Sequence, residues 1–118
     1  MKANKKRFIY LISPNKIKKS FYTNLKIVLR SNLVSFFQLR LKKYSLIEKE
    51  KIGKKIKKIC KKYKVKLIVN DDPYLAKKIG ADGCHLGQND MVIQEARKIL
   101  RKKIIGITCH NSKKLIRQ

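Results

Sequence analysis

Five short apolar runs, each tipped by polar residues and separated from the next by a helical pattern, constrain this chain most. They are FIYLI (Phe8 to Ile12), LVSFFQLR (Leu33 to Arg40), VKLIV (Val65 to Val69), DGCHLG (Asp82 to Gly87) and KIIGI (Lys103 to Ile107). Their starts near 8, 33, 65, 83 and 104 leave room for a crossover helix between successive strands. Parallel strands need such connections, whereas hairpins close in a few residues. The second run closes with Gln38 and Arg40, then Lys42. Asn70 and Asp71 follow the third, Gln88 and Asp90 the fourth, and Thr108 and His110 the fifth. Strand, polar tip and helix in repetition is how a parallel α/β barrel assembles one active site at the C-terminal ends of its strands. The predicted class is α/β, with about five βα units of parallel sheet in one domain spanning 1–118.

The helices are legible from their periodicity. Apolar residues at 21, 25, 28 and 29 give a first helical stripe from about Phe21 to Ser31. Ser45 and Glu48 form a capping box ahead of a long Lys-rich helix, whose inner face is predicted to carry Ile52, Ile56, Ile59 and Tyr63. Asp72 caps a short third helix with Pro73 at its first position, and Gly80 suits a left-handed terminus. A fourth helix starts near Asp90 and packs Val92 or Ile93, Ala96, Ile99 and Leu100. A fifth is predicted to begin at Asn111 or Ser112.

The net charge of +25 is extreme and raises nucleic acid as a partner. Yet of 32 basic residues only six are Arg, and no RNA-binding aromatic motif, zinc finger or basic heptad run accompanies them. Lysines spread over solvated helix faces account for the charge, so nucleic acid is not the predicted partner. Cys60, Cys84 and Cys109 lack C-x-x-C spacing and fit the reduced thiols of a cytoplasmic protein. The apolar run near the N-terminus is shorter than the ~7–15 residues of a signal-peptide core. No stretch approaches the ~20 apolar residues of a membrane span.

Asp71 and Asp90 are the first candidates for chemistry. Two carboxylates on adjacent strand tips would suit Mg²⁺, which takes one or two carboxylates together with substrate phosphates. Either could instead cap a helix. Gln38, Arg40 and Lys42 alternate, so on a continued strand all three side chains share one side. An amide, a guanidinium and an ammonium there match a phosphorylated ligand, the guanidinium by bidentate contact. The other reading is a polar strand edge in water. Cys84-His85 and Cys109-His110 lack four-ligand zinc spacing, and both histidines read as structural.

The segments FIYLIS, QLRLK, IVNDD, GADGCHLGQND and IIGITCHNS, in that order, resemble thiamine phosphate synthase from near residue 8 to the last residue. The resemblance implies part of a TIM (β/α)₈ barrel that joins hydroxymethylpyrimidine diphosphate to thiazole phosphate, giving thiamine phosphate and pyrophosphate. It implies that Gln38, Arg40, Lys42, Asn70 and Thr108 bind substrate and that Asp71 and Asp90 bind Mg²⁺. The implied mechanism is dissociative and needs no protein nucleophile. A sister family, thiazole tautomerase, shares the fold. It tends to lack the full metal and diphosphate set, so these residues favour the synthase.

The family's later strands have no counterpart here, and the chain is expected to be about five of eight βα units of a truncated copy. Open sheet edges at the first and last strands are then expected to favour self-association, and the isolated chain to be marginally stable and inactive. A basic, non-catalytic nucleic-acid-binding protein is the rival reading.

Overall fold

A computed structural model describes residues 9–87 and 90–107, with the backbone alone at 90–92. The elements alternate strictly: β1 Ile9–Ile12, α1 Lys19–Leu29, β2 Val34–Leu39, α2 Leu46–Lys62, β3 Lys66–Asn70, α3 Pro73–Ile79, β4 Gly83–Leu86, α4 Asp90–Leu100 and β5 Ile104–Ile107. The strands form one sheet in the order β1-β2-β3-β4-β5. Every neighbouring pair is parallel. Strand order follows chain order without reversal, as in the wall of a barrel. A doubly wound sheet would instead reverse direction at a switch point. Phe8, Thr108, Cys109, His110 and the predicted fifth helix lie outside the described residues.

One face of the sheet carries the core. Leu11, Phe37, Leu39, Leu67, Val69, Cys84 and Leu86 pack with Leu25, Leu29, Ile56, Cys60, Leu75, Ala76, Ile79, Ala96 and Leu100 from the helices. Because strand side chains alternate, the residues between them point to the opposite face. The helical stripe on α2 is centred differently from the periodic reading. Gly53, Ile56, Ile59 and Cys60 are buried, while Ile52 and Tyr63 are half-buried. Gly53 is there because α3 comes close: a Cβ would stand 2.8 Å from Ile79 Cδ1. On α1 the buried positions are Leu25 and Leu29, whereas Val28 is exposed. Burial pushes both the Cys60 and the Cys84 thiol up to about 12.

Local signals fix the helix ends. Glu48 N–H donates to Ser45 Oγ at 3.2 Å, and Ser45 N–H donates to Glu48 Oε1 at 2.9 Å, closing the predicted capping box. Asp72 Oδ1 accepts from Leu75 N–H at 2.9 Å. Each helix-to-strand turn contains one left-handed residue: Asn32 (φ 62), Lys64 (φ 58), Gly80 (φ 71) and Arg101 (φ 54). Such a residue stops the helix and returns the chain to the sheet.

The lower end of the sheet is latched by Asp82. Its Oδ2 accepts from Leu67 N–H at 2.8 Å, and its backbone bonds both Leu67 and Ile104. Gly83, directly after it, lets β4 and β5 approach closely. A Cβ at that position would stand 2.3 Å from Ile104 O and 2.7 Å from Ile104 Cβ. Gly83→Ala must therefore separate these strands and is expected to destabilise the fold by about 1–3 kcal/mol. Urea unfolding measures this, and an unchanged midpoint would contradict the packing.

Candidate active site

The face of the sheet opposite the helices opens into a cavity of about 710 Å³. Strand alternation decides what lines it. Tyr10 and Ile12 come from β1, Phe36 and Gln38 from β2, Ile68 and Asn70 from β3, His85 from β4, and Ile104 and Gly106 from β5. Arg40, Asp71, Gly87 and Ile107, at or just past the strand ends, complete the lining. Parallel pairing sets the levels: Gln38 lies beside Ile68, and Asn70 beside His85, which lies beside Gly106. Arg40, Asn70, Asp71 and His85 therefore gather at the C-terminal end of the sheet, above the level of Gln38 and Ile68 and, lower still, Tyr10 and Phe36.

Gln38 is the buried amide of this face, at 5 % exposure. Its Nε2 donates to Tyr10 Oη at 3.0 Å, and the Tyr10 ring stacks on Phe36 with centroids 5.6 Å apart. β1 also fixes the backbone of β2 at the mouth. Ser13 N–H donates to Gln38 O at 2.9 Å, and Ser13 Oγ accepts from Arg40 N–H at 2.8 Å. The Arg40 side chain is exposed at the rim.

Asn70 ends β3, and Asp71 follows it in the left-handed region at φ 60. Asp adopts that conformation more readily than most residues. Asp71 N–H donates to His85 O at 2.7 Å, which ties the β3 tip to β4. Asn70 Nδ2 donates to Asp71 Oδ2 at 3.2 Å, so amide and carboxylate form one unit. Asp72 caps α3, so Asp71 is not the capping residue.

Burial pushes the His85 imidazole below its ordinary value. Asp71 opposes this and Arg40 adds to it. The ring therefore favours its neutral form at neutral pH. Gly106 makes room for it, since a Cβ there would stand 2.9 Å from His85 Nδ1.

Gln38, Arg40, Asn70 and Asp71 are thus brought to one mouth, as the sequence led us to expect. Lys42 does not line it. β2 ends at Leu39, so the alternation that would carry Lys42 to the same side stops. Its N–H donates instead to Asn15 O at 3.2 Å. Asp90 is the first residue of α4, but its side chain lies outside the described residues, as does Thr108. Two polar side chains of the lining, His85 and Tyr10, are not among the expected site residues. His85 could have been found from its neighbour: Cys84 belongs to the core face, so His85 must point to the other. Tyr10 carried no signal beyond belonging to an apolar strand.

The sequence model of the thiamine monophosphate synthase family matches residues 9–118. The chain belongs to this family. It is 65 % identical over 115 residues to the thiamine-phosphate synthase of Pelagibacter ubique, covering 95 % of this chain and 56 % of that protein. It is 43 % identical over 96 residues to thiamine-phosphate synthase 1 of Streptococcus pneumoniae, covering 79 % of this chain and 46 % of that one. A solved thiamine phosphate pyrophosphorylase from Pyrococcus furiosus superposes with a TM-score of 0.75 at 27 % identity. The match covers 86 % of this chain and 50 % of that structure. The chain spans about half the length of the relatives it matches.

In this member of the family, the Ser13 hydroxyl is the acceptor that holds the Arg40 backbone at the mouth. Ser13→Ala leaves that N–H without its partner and is expected to cost about 1 kcal/mol. Equilibrium unfolding measures it, and a variant as stable as the parent would show that the contact contributes nothing.

Proposed function

We propose that this chain acts in thiamine biosynthesis, in the condensation of hydroxymethylpyrimidine diphosphate with thiazole phosphate to thiamine phosphate and pyrophosphate. The observation that carries this reading is the convergence of Gln38, Arg40, Asn70 and Asp71 on one mouth of a consecutive parallel sheet. Family membership and relatives named thiamine-phosphate synthase support the synthase over a tautomerase or a nucleic-acid-binding protein.

In this reading Gln38 and the apolar side chains of Ile68 and Phe36 receive the pyrimidine ring. Arg40 at the rim binds the diphosphate with its planar fork of donors, and Lys42 adds charge from the loop. Asn70 and Thr108 complete the substrate contacts. The C–O bond to the diphosphate breaks, and its electron pair leaves with pyrophosphate. The carbon left electron-deficient is captured by the thiazole nitrogen, whose lone pair forms the new C–N bond. Fixed charge and dipoles aimed at the departing group lower the barrier without a protein nucleophile.

The donor chemistry fits Mg²⁺. Asp71 offers a hard carboxylate in the same lining as the Arg40 that would hold phosphate, and Asp90 is the second proposed ligand. The metal's contribution, when bound, is to neutralise charge on the pyrophosphate leaving group. The substrates are phosphorylated small molecules, and the proposed compartment is the cytoplasm. No helix among the described residues is long and apolar enough to cross a membrane. The reading also includes self-association through the edge strands, where Ile9, Ile12 and Ile104 are exposed.

Thiamine phosphate formation from the two substrates with magnesium, by this chain extended to the length of its relatives, tests the proposal. Asp71→Ala and Arg40→Ala are each expected to lower turnover by about 100-fold or more, while far-UV circular dichroism stays unchanged. Undiminished turnover in Asp71→Ala, or no product from the parent of relatives' length, would contradict it.

A further inference from the structure

Gln38 is a buried amide whose orientation matters to whatever enters the cavity, and the structure shows what orients it. The terminal torsion of a Gln side chain is broad and roughly two-fold, so an amide left to itself samples many planes. Here Nε2 donates to Tyr10 Oη at 3.0 Å. The hydroxyl is itself held in place, because the Tyr10 ring stacks on Phe36 with centroids 5.6 Å apart and planes 24° apart. Tyr10, Phe36 and Gln38 all line the same cavity. The parallel register places Tyr10 opposite Phe36 and Ile12 opposite Gln38, so the phenol reaches diagonally along the sheet to the amide.

We propose that Tyr10 is a positioning residue for the ring-binding subsite: its hydroxyl sets the plane of the Gln38 amide before ligand arrives. This rests on the functional reading above, in which Gln38 meets the pyrimidine ring and Arg40 meets the diphosphate. Order imposed in advance need not be imposed by the ligand, so the contact acts through affinity for the ring. It should leave the diphosphate end untouched. Arg40 is held separately, through its backbone, by the Ser13 hydroxyl.

Tyr10→Phe removes the hydroxyl and keeps the ring on Phe36. Titration calorimetry on the parent, Tyr10→Phe, Gln38→Ala and the double variant uses two probes with magnesium present: hydroxymethylpyrimidine diphosphate and inorganic pyrophosphate. Tyr10→Phe is expected to weaken the pyrimidine diphosphate by about three- to tenfold, the scale of one hydrogen bond. Pyrophosphate affinity is expected to stay within about twofold. In the Gln38→Ala background, adding Tyr10→Phe is expected to change neither, because the effect runs through the amide. Equal loss for both probes, the same loss with and without Gln38, or no loss at all would each overturn the role of Tyr10. If the parent binds pyrophosphate but not the pyrimidine diphosphate, the functional reading fails and this inference falls with it. A parent that binds both, with a silent Tyr10→Phe, overturns the inference alone.

Discussion

The site depends on in-register parallel pairing at the C-terminal ends of the strands. Asn70 pairs with His85, and His85 with Gly106, at one level across three strands. A slip of one residue would exchange the two faces of a strand. His85 would then enter the helix-packed core and Cys84 would enter the cavity. The register is held by burial on the core face, where Leu67, Val69, Cys84 and Leu86 are nearly inaccessible to water. It is pinned from below by Asp82, which accepts from Leu67 N–H and whose backbone also bonds Ile104. The helix-covered face thus decides where the polar residues of the other face stand.

That division explains what the sequence could reveal. Every strand and helix among the described residues was legible, because apolar runs of four to eight residues and helical stripes are strong signals. Gly80 announced its left-handed turn, and Ser45, Glu48, Asp72 and Pro73 announced their helix starts. The equivalent turns at Lys64 and Arg101 were silent, since a lysine or arginine in a left-handed position has no compositional mark; Asn32 carries the weaker mark of an asparagine, which tolerates that conformation. Gly53 and Cys60 were missed on α2 because small residues add little to an apolar stripe. Tertiary closeness to α3, which no local pattern encodes, is what buries Gly53.

The site was legible in the same measure. Gln38 and Arg40 could be placed by alternation, and Asn70 and Asp71 by their position at the C-terminal tip of β3. Lys42 was carried too far by the same rule, because alternation holds only while the strand lasts and β2 stops at Leu39. Tyr10 and His85 stand outside the expected site residues for other reasons. Tyr10 reads as an ordinary member of an apolar strand, and only pairing with β2 shows that its face is the open one; His85 reads as structural, although the core position of Cys84 places it on the opposite face. The lysines behave as the composition suggested. On α2, Lys51, Lys54, Lys55 and Lys58 are exposed. Glu50 pairs with Lys54 at 2.8 Å and Lys78 at 3.3 Å, contacts that add little at a solvated surface.

The central claim is that Arg40 and Asp71 face one mouth as a diphosphate and metal site. A crystal structure with manganese and pyrophosphate, measured at the manganese absorption edge, tests it most directly. The account predicts an anomalous peak on the order of 2 Å from an Asp71 carboxylate oxygen, with the pyrophosphate reaching the Arg40 guanidinium. A peak away from Asp71, or pyrophosphate bound only to the outer lysines of α2, would contradict it.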